Sequence, residues 1–168
     1  MQPTSPLIIS REIFKAYDIR GIVGKTLTPA IVEAIGHALG SEAKQRAQKE
    51  ICIGYDGRLS GPELNDALST GIRKAGVNVV NLGMVATPMV YFAAHHLGNN
   101  CGVMVTGSHN PPDYNGLKMV LAGKRCRTRA FKDCATASNT NYSLMVMALS
   151  AAMVLSAAMI LRPTISRK

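Results

Sequence analysis

The sequence predicts an α/β fold with a mixed, mostly parallel sheet and helices on both faces of that sheet. Three observations lead to this prediction. Segments with apolar residues at helical spacing alternate with short apolar runs, a Ser or Thr shortly before a proline opens each predicted helix, and glycine follows two of the three helices. With 168 residues, the chain is long enough for one domain with a substantial buried core.

The predicted elements follow one another along residues 28–106. The helices begin at Thr28, Ser60 and Thr87 and end near Gln48, Gly76 and Gly98. The strands are predicted at residues 51–54, 77–82 and 101–106. In a sheet of this kind, ligands bind beyond the carboxyl ends of the strands. We therefore expect a functional site in the loops after Tyr55, Leu82 and Thr106.

Residues 125–168 differ in composition from residues 1–124. They contain no glycine and no glutamate, begin with a basic cluster and continue with an uncharged apolar segment at 144–161. This segment has the length of a membrane-spanning helix, but its Ala and Ser content makes it only moderately apolar. A membrane helix, a helix packed on the domain and a shifted reading frame are the three interpretations. We place a domain boundary at residue 124, favour the shifted frame, and expect an irregular or helical tail.

The net charge is concentrated in the same tail. The whole chain has 19 Lys and Arg against 10 Asp and Glu, a formal net charge of +9, and residues 125–168 hold seven of those bases and one of those acids. Residues 1–124 have no basic stripe interleaved with aromatic residues, so nucleic-acid binding is not predicted. The sequence gives no indication of the oligomeric state.

The cysteines point to a reducing compartment. Cys52, Cys101, Cys126 and Cys134 show no C-x-x-C spacing, and no apolar signal segment is found in residues 1–14. We therefore predict free thiols and a cytoplasmic location. Cys52 and Cys101 lie in apolar runs, which favours buried rather than reactive thiols.

A polar loop follows the third predicted strand, with the sequence Thr-Gly-Ser-His-Asn-Pro-Pro at 106–112. A sharp turn there would expose the hydroxyl of Ser108, which can then act as a nucleophile or phosphate carrier. His109 can move protons near neutral pH, and Lys118 can neutralise phosphate oxygens or assist proton transfer. Because these are also ordinary turn residues, a purely structural turn is the alternative.

Residues 106–118, T-G-S-H-N-P-P-D-Y-N-G-L-K, closely resemble the active-site serine loop of the α-D-phosphohexomutases, the family of phosphoglucomutase and phosphomannomutase. Two further runs resemble signatures of that family: F-K-A-Y-D-I-R-G at 14–21 and G-Y-D-G-R-L-S at 54–60. The resemblance covers about residues 10–123, which correspond to the first of the family's four domains.

The resemblance implies a reversible transfer of phosphate between the 1- and 6-positions of a hexose phosphate, with Ser108 as the phosphoryl carrier. It implies that Arg20 lies beside the phosphoserine and that Lys118 assists deprotonation of the attacking hydroxyl. It also implies that His109 is an active-site histidine. Tyr17 and Asn110 are the substrate-binding residues we infer from the same runs.

Without the family resemblance, several of these positions have an alternative structural explanation. Arg20 can instead form a salt bridge with Asp18 or Glu12, and Tyr17 can be a buried core tyrosine. For Asp56 and Arg58 we favour a mutual ion pair or a turn-stabilising role over a catalytic one.

The sequence departs from the family pattern in its metal and sugar sites. Family members bind Mg²⁺ through the serine phosphate and a separate aspartate-rich loop, and the 168 residues contain no such loop. The resemblance therefore implies Mg²⁺ only at the phosphate of Ser108. Because the family's later sugar-binding and phosphate-binding loops are also missing, we expect negligible mutase turnover from this chain alone. The alternative functions are a non-catalytic interaction domain and a fragment tethered to a membrane through 144–161.

Overall fold

The computed structural model of the protein describes residues 7–125. These residues form six strands and three α-helices, which we number in chain order. A short 3-10 helix, Arg11–Ile13, precedes them. The elements are β1 (Asp18–Ile22), α1 (Pro29–Gln45), β2 (Glu50–Tyr55), α2 (Gly61–Lys74), β3 (Asn78–Met84), α3 (Thr87–His96), β4 (Gly102–Val105), β5 (Tyr114–Leu121) and β6 (Lys124–Arg125).

The strands form one mixed sheet in the order β1-β5-β4-β2-β3, with β6 paired to β5. The central strand β2 is parallel to β3 and β4, whereas β5 is antiparallel to β1, β4 and β6. The mixed α/β class is confirmed. Within residues 7–125 the sheet is less parallel than predicted, because β1 and β5 were not identified as strands and both add antiparallel pairings.

Alternate side chains of the central strands face opposite layers of helices. In β2, Ile51 and Ile53 belong to the core that contains the buried residues of α1 and α2. Cys52, between them, points to the other face and packs with Val90 and Ala94 of α3. The period of two along the strand therefore gives the sheet two apolar faces, and the predicted helices on both faces are confirmed.

Helix ends follow the predicted capping chemistry at two positions and differ from it at two others. The hydroxyl of Thr28 accepts a hydrogen bond from the backbone N–H of Ile31 at 3.3 Å, as an N-cap does. Gly76 adopts a φ of +84° just beyond α2. Ser60 makes no side-chain cap bond, and Thr87 is the first residue of α3 rather than its cap.

The two helices on one face cross with direct backbone contact. A Cβ atom added to Gly71 of α2 would collide with the carbonyl oxygen of Glu33 and the backbone nitrogen of His37, both in α1. A Cβ atom added to Gly36 of α1 would similarly collide with the carbonyl oxygen of Leu68 in α2. These glycines let α1 and α2 approach more closely than any side chain would allow.

The cysteines that the structure describes are buried. Cys52 and Cys101 have no exposed surface and form no disulfide, as predicted. Burial raises the pKa of both thiols. Cys126, Cys134, the apolar segment at 144–161 and almost all of the predicted tail lie outside the described residues. Between residues 7 and 125, no helix is both long and apolar enough to cross a membrane.

Candidate functional site

The loop that carries Ser108 joins β4 to β5 at the edge of the sheet where β2 and β4 have their carboxyl ends. Ser108 is exposed and has a φ of +50°, in the left-handed region that residues with a side chain seldom adopt. A non-glycine residue in this region costs free energy that the surrounding contacts must supply. The predicted sharp turn is therefore present and presents the serine to solvent.

Lys118 reaches the serine from the neighbouring strand. Because β5 runs antiparallel to β4, the chain turns after Ser108 and brings Lys118 back beside the loop. The ammonium nitrogen Nζ of Lys118 donates a hydrogen bond to Oγ of Ser108 at 3.2 Å. These two residues, separated in sequence, form the direct polar contact at the centre of the candidate site.

A cavity of about 300 Å³ lies beside Lys118. Asp18 and Arg20 of β1 line it together with Tyr17, which immediately precedes β1, and Thr87 and Tyr91 line it from α3. The cavity thus brings Lys118 together with two other predicted site residues, Tyr17 and Arg20. Tyr17 is 54% exposed, which excludes the alternative of a buried core tyrosine.

Arg20 is held by a carboxylate at the wall of this cavity. Its Nη2 lies 2.6 Å from Oδ2 of Asp18, and its Nε donates to the same oxygen at 2.8 Å. The predicted Arg20–Asp18 salt bridge is therefore present. The Arg20 side chain remains 43% exposed, so the guanidinium is both paired and accessible from the cavity.

The other two predicted site residues lie in the serine loop itself. His109 is exposed next to Ser108. The side chain of Asn110 closes the turn, because its Nδ2 donates to the carbonyl oxygen of Gly107 at 2.8 Å and its backbone N–H donates to the same oxygen at 3.0 Å. In this structure the Nδ2 of Asn110 is thus engaged with the loop backbone.

Asp56, at the end of β2, binds the start of the serine loop. Its Oδ2 accepts hydrogen bonds from the hydroxyl of Thr106 at 2.7 Å and from the backbone N–H of Gly107 at 3.1 Å. The Thr106 hydroxyl in turn accepts a hydrogen bond from the backbone N–H of Ser108 at 3.0 Å. A chain of hydrogen bonds therefore connects the Asp56 carboxylate to the serine.

Arg58 binds the rest of the loop through four backbone carbonyl groups. Nη1 donates to the carbonyl oxygens of Pro111 at 2.6 Å and Tyr114 at 2.9 Å. Nη2 donates to those of Asn110 at 2.7 Å and Ser108 at 3.3 Å. The guanidinium thus contacts both ends of the turn.

The predicted relation between Asp56 and Arg58 is only part of what they do. Their side chains approach at 3.9 Å, and the backbone N–H of Arg58 donates to Oδ1 of Asp56, as expected for a turn. Their contacts with the serine loop were not predicted from the sequence. The signal that predicts such contacts is the placement of both loops after strands β2 and β4, which are parallel neighbours and end at the same sheet edge.

The described residues do not supply a complete site for the Mg²⁺ that the resemblance implies. Residues 7–125 contain no group of three or more His, Cys, Asp or Glu side chains placed to hold a metal ion. Of the nearby carboxylates, Asp56 is engaged by the serine loop and Asp18 by Arg20. Because Mg²⁺ requires a near-octahedral set of oxygen ligands, Ser108 alone does not provide it. We therefore derive no chemical step through a metal.

The chain is similar to known proteins of one family. Residues 11–140 match the family model described as phosphoglucomutase/phosphomannomutase, alpha/beta/alpha domain I. A phosphoglucomutase of Neisseria meningitidis is 54% identical over 125 residues, covering 74% of this chain and 27% of that protein. A phosphomannomutase/phosphoglucomutase of Pseudomonas aeruginosa is 52% identical over 122 residues, covering 73% of this chain and 26% of that protein.

A solved structure shows the same similarity. The crystal structure of a phosphoglucomutase/phosphomannomutase family protein from Burkholderia thailandensis superposes with a TM-score of 0.65 at 43% identity, over 89% of this chain and 31% of that one. The chain thus spans about a quarter of the length of the curated relatives it matches. The match to the family model continues past residue 124, so the comparisons do not confirm an unrelated tail. The match to the domain I model over residues 11–140, and the identity to relatives of that name, establish that the chain belongs to the phosphoglucomutase/phosphomannomutase family.

Proposed function

We propose that this chain carries the phosphoryl-accepting serine of a hexose phosphate mutase and that Ser108 is that serine. The observation that carries the proposal is the hydrogen bond from Lys118 Nζ to Ser108 Oγ at 3.2 Å, on a serine held in a left-handed turn. A hydroxyl that is only part of a turn has no need of a cation directed at its oxygen. The family assignment supplies the substrate class, a hexose phosphate.

The proposed step is a reversible phosphoryl transfer. In one direction, Ser108 Oγ attacks a phosphorus atom of a hexose bisphosphate, and the bond between that phosphorus and the sugar oxygen breaks. The serine proton passes to the neutral amine of Lys118, and the sugar oxygen takes a proton from water. In the other direction, a sugar hydroxyl attacks the phosphorus of phosphorylated Ser108 and releases its proton to water, the bond between that phosphorus and Oγ breaks, and Lys118 as ammonium donates its proton to Oγ. One lysine serves both directions because acid and base roles exchange on reversal.

The surrounding residues contribute charge and orientation. Catalysis of phosphoryl transfer depends mainly on positioning and on stabilising the charge of the phosphoryl oxygens. Arg20 and Lys118 supply positive charge at the cavity beside the serine, with Tyr17 on the same wall. We propose the cavity as the place where the hexose phosphate approaches, and His109 as an accessible proton-transfer group next to the serine. The cytoplasmic location belongs to the same proposal and is consistent with the free thiols of Cys52 and Cys101.

The test is phosphorylation of the purified full chain. It is incubated with glucose 1,6-bisphosphate, and in parallel with mannose 1,6-bisphosphate, and the modified residue is identified by peptide mass spectrometry. We expect phosphate on Ser108 and none in the Ser108→Ala variant. Absence of phosphate from Ser108, or equal labelling of the variant, would contradict the proposal.

A second assay measures turnover rather than phosphorylation. We expect negligible conversion of glucose 1-phosphate to glucose 6-phosphate, because the described residues place no complete metal site around the serine. A conversion rate that the Ser108→Ala variant abolishes would show that this expectation is wrong while supporting the role of Ser108.

A further inference from the structure

Among the cationic groups of the described residues, the guanidinium of Arg58 makes the most contacts with the serine loop. It is not directed at Ser108 Oγ. An arginine has five N–H donors arranged in a rigid fork. Four of those of Arg58 are taken by the carbonyl oxygens of Ser108, Asn110, Pro111 and Tyr114. The fifth, on Nε, faces the carboxylate of Asp56 at 3.9 Å.

These bonds fix the direction of the loop's peptide groups. The carbonyl oxygen of Ser108 itself accepts one of these hydrogen bonds, from Nη2 of Arg58. At the other end of the turn, Asp56 and Thr106 hold the N–H groups of Gly107 and Ser108. Ser108 lies between these two sets of hydrogen bonds, and it is the residue with a φ of +50°. The positive φ of Ser108 is therefore enforced from both sides.

Gly107 packs directly against the Arg58 guanidinium. A Cβ atom added there would overlap the Nε and Cζ atoms of Arg58. Gly107 does not have a positive φ, so its backbone conformation alone does not require glycine. What requires a glycine at this position is the guanidinium packed against it.

We propose that Arg58 is a positioning residue, which sets the orientation of Ser108 by binding the loop carbonyls and does not itself bind the phosphate. The proposal rests on the proposed function in that Ser108 is taken as the phosphoryl carrier. Because the fork has to reach four separate oxygens, a lysine, with one nitrogen on a flexible stem, cannot replace it. A small misplacement of a reacting group lowers the rate strongly, whereas binding of the substrate is unaffected.

The experiment compares Arg58→Lys with Arg73→Lys, the same substitution on α2, where Arg73 bonds only to Ser69 in the described residues. The full chain is mixed with glucose 1,6-bisphosphate, and phosphorylation of Ser108 is followed in time at several concentrations. We expect Arg58→Lys to lower the maximal rate about 10- to 100-fold and to leave the half-saturating concentration unchanged. Arg73→Lys should match the parent chain. A raised half-saturating concentration, or an unchanged maximal rate, would overturn the proposal.

Hydrogen exchange provides a readout that does not depend on phosphorylation. In Arg58→Lys, backbone amides of residues 106–116 should exchange faster, while those of α1 and α2 keep their protection. If the parent chain takes up no phosphate, the proposed function fails, but this measurement still tests the loop: unchanged exchange in 106–116 would refute the positioning role.

Gly107→Ala tests the same contacts without changing Arg58, and it remains informative if Arg58→Lys does not fold. In the parent chain it should slow phosphorylation about 10- to 100-fold, as expected for Arg58→Lys, and an unchanged rate would contradict the proposal. In the Arg58→Ala background it should have little further effect, because the overlap is gone. Additive effects of the two substitutions would contradict the proposal.

Discussion

The two faces of the sheet are built in different ways. On one face, α1 and α2 cross with backbone in contact at Gly36 and Gly71, and the core between them and the sheet is fully buried. On the other face, α3 stands alone among the described helices. It buries Val90 and Ala94 but exposes Phe92, and the cavity with Lys118 lies beside it.

Because of this difference, most residues that stabilise the fold and the residues proposed to act in phosphoryl transfer lie on opposite faces of the sheet. The face with α1 and α2 contributes most of the buried apolar surface. The face with α3 has less buried surface and holds Lys118, whose Nζ donates a hydrogen bond to Ser108 Oγ. We therefore expect substitutions on the first face to change the free energy of unfolding and substitutions on the second face to change phosphoryl transfer.

The largest expected effect is on stability, at the crossing of α1 and α2. Gly71→Ala should lower the free energy of unfolding by about 3 kcal/mol, because the new methyl group would meet backbone atoms that cannot rotate away. Urea denaturation monitored by circular dichroism measures this change.

Gly57→Ala is the matched control. Gly57 has open space around its Cα and no positive φ, so its substitution should change stability by less than about 0.5 kcal/mol. Equal effects of the two substitutions would show that the close crossing does not limit stability.

On the opposite face, Lys118→Ala should slow phosphorylation of Ser108 by glucose 1,6-bisphosphate about 100-fold, because the group that exchanges a proton with Oγ is removed. The free energy of unfolding should change by less than about 1 kcal/mol. Lys74→Ala serves as control, since Lys74 pairs with Glu33 on the α1–α2 face. A rate close to that of the parent chain would remove Lys118 from the proposed mechanism.

A smaller effect is expected within α3 itself. Phe92 is 69% exposed and stacks on His96, whereas Val90 is fully buried. Phe92→Ser should change the free energy of unfolding by less than about 0.5 kcal/mol, and Val90→Ala should lower it by about 2 kcal/mol. Thermal unfolding of both variants makes the comparison. A loss above 1 kcal/mol for Phe92→Ser would mean that the outer side of α3 is covered by other residues of the chain.

The smallest effect is a pH dependence on the α1–α2 face. Burial lowers the pKa of His37 below the ordinary value of 6.5, and the positive charge of Lys74 lowers it further, while Glu33 acts in the opposite sense. The unfolded chain then binds the proton more strongly than the folded chain, so stability is lost as the pH falls through 6.5. His37→Gln should reduce this loss. Urea midpoints at about pH 8 and about pH 5 measure it, and an equal loss in both proteins would contradict the assignment.

The part of the fold that the sequence predicted well is the part with regular patterns. Helices α1, α2 and α3 and strands β2, β3 and β4 have apolar periodicity and capping residues that act locally. β1 was missed because only five residues form it and two of them are charged. β5 was missed because it contains Asn115 and Gly116, which ordinarily favour turns. A Cβ atom on Gly116 would collide with the carbonyl oxygen of Ile19, so that glycine is required by a strand contact that is distant in sequence.

The candidate site, too, could be predicted only where its residues lie close together in sequence. Ser108 and Lys118 lie in one sequence run, and the resemblance of that run to the serine loop of the phosphohexomutases implied a role for both; their contact depends on β5, which was not predicted. The roles of Asp56 and Arg58 depend on the meeting of two loops more than 40 residues apart in sequence, as Arg58 and Asn110 show. Local turn chemistry explains part of what these residues do, namely the bond from the Arg58 backbone to Asp56. Their contacts with the serine loop can be predicted only when the order of the strands in the sheet is known.

The antiparallel pairing of β1 with β5 also has a consequence for how the chain folds. Asp18 pairs with Lys118, near opposite ends of the described residues, whereas α1, β2, α2 and β3 contact partners close in sequence. Contacts between distant segments close a large loop and form slowly. During synthesis, β1 leaves the ribosome first but has no strand partner until β5 follows it. The cavity between β1, β5 and α3 therefore cannot assemble before β5 is synthesised, and a chaperone that binds nascent chains would find β1 without its strand partner until then.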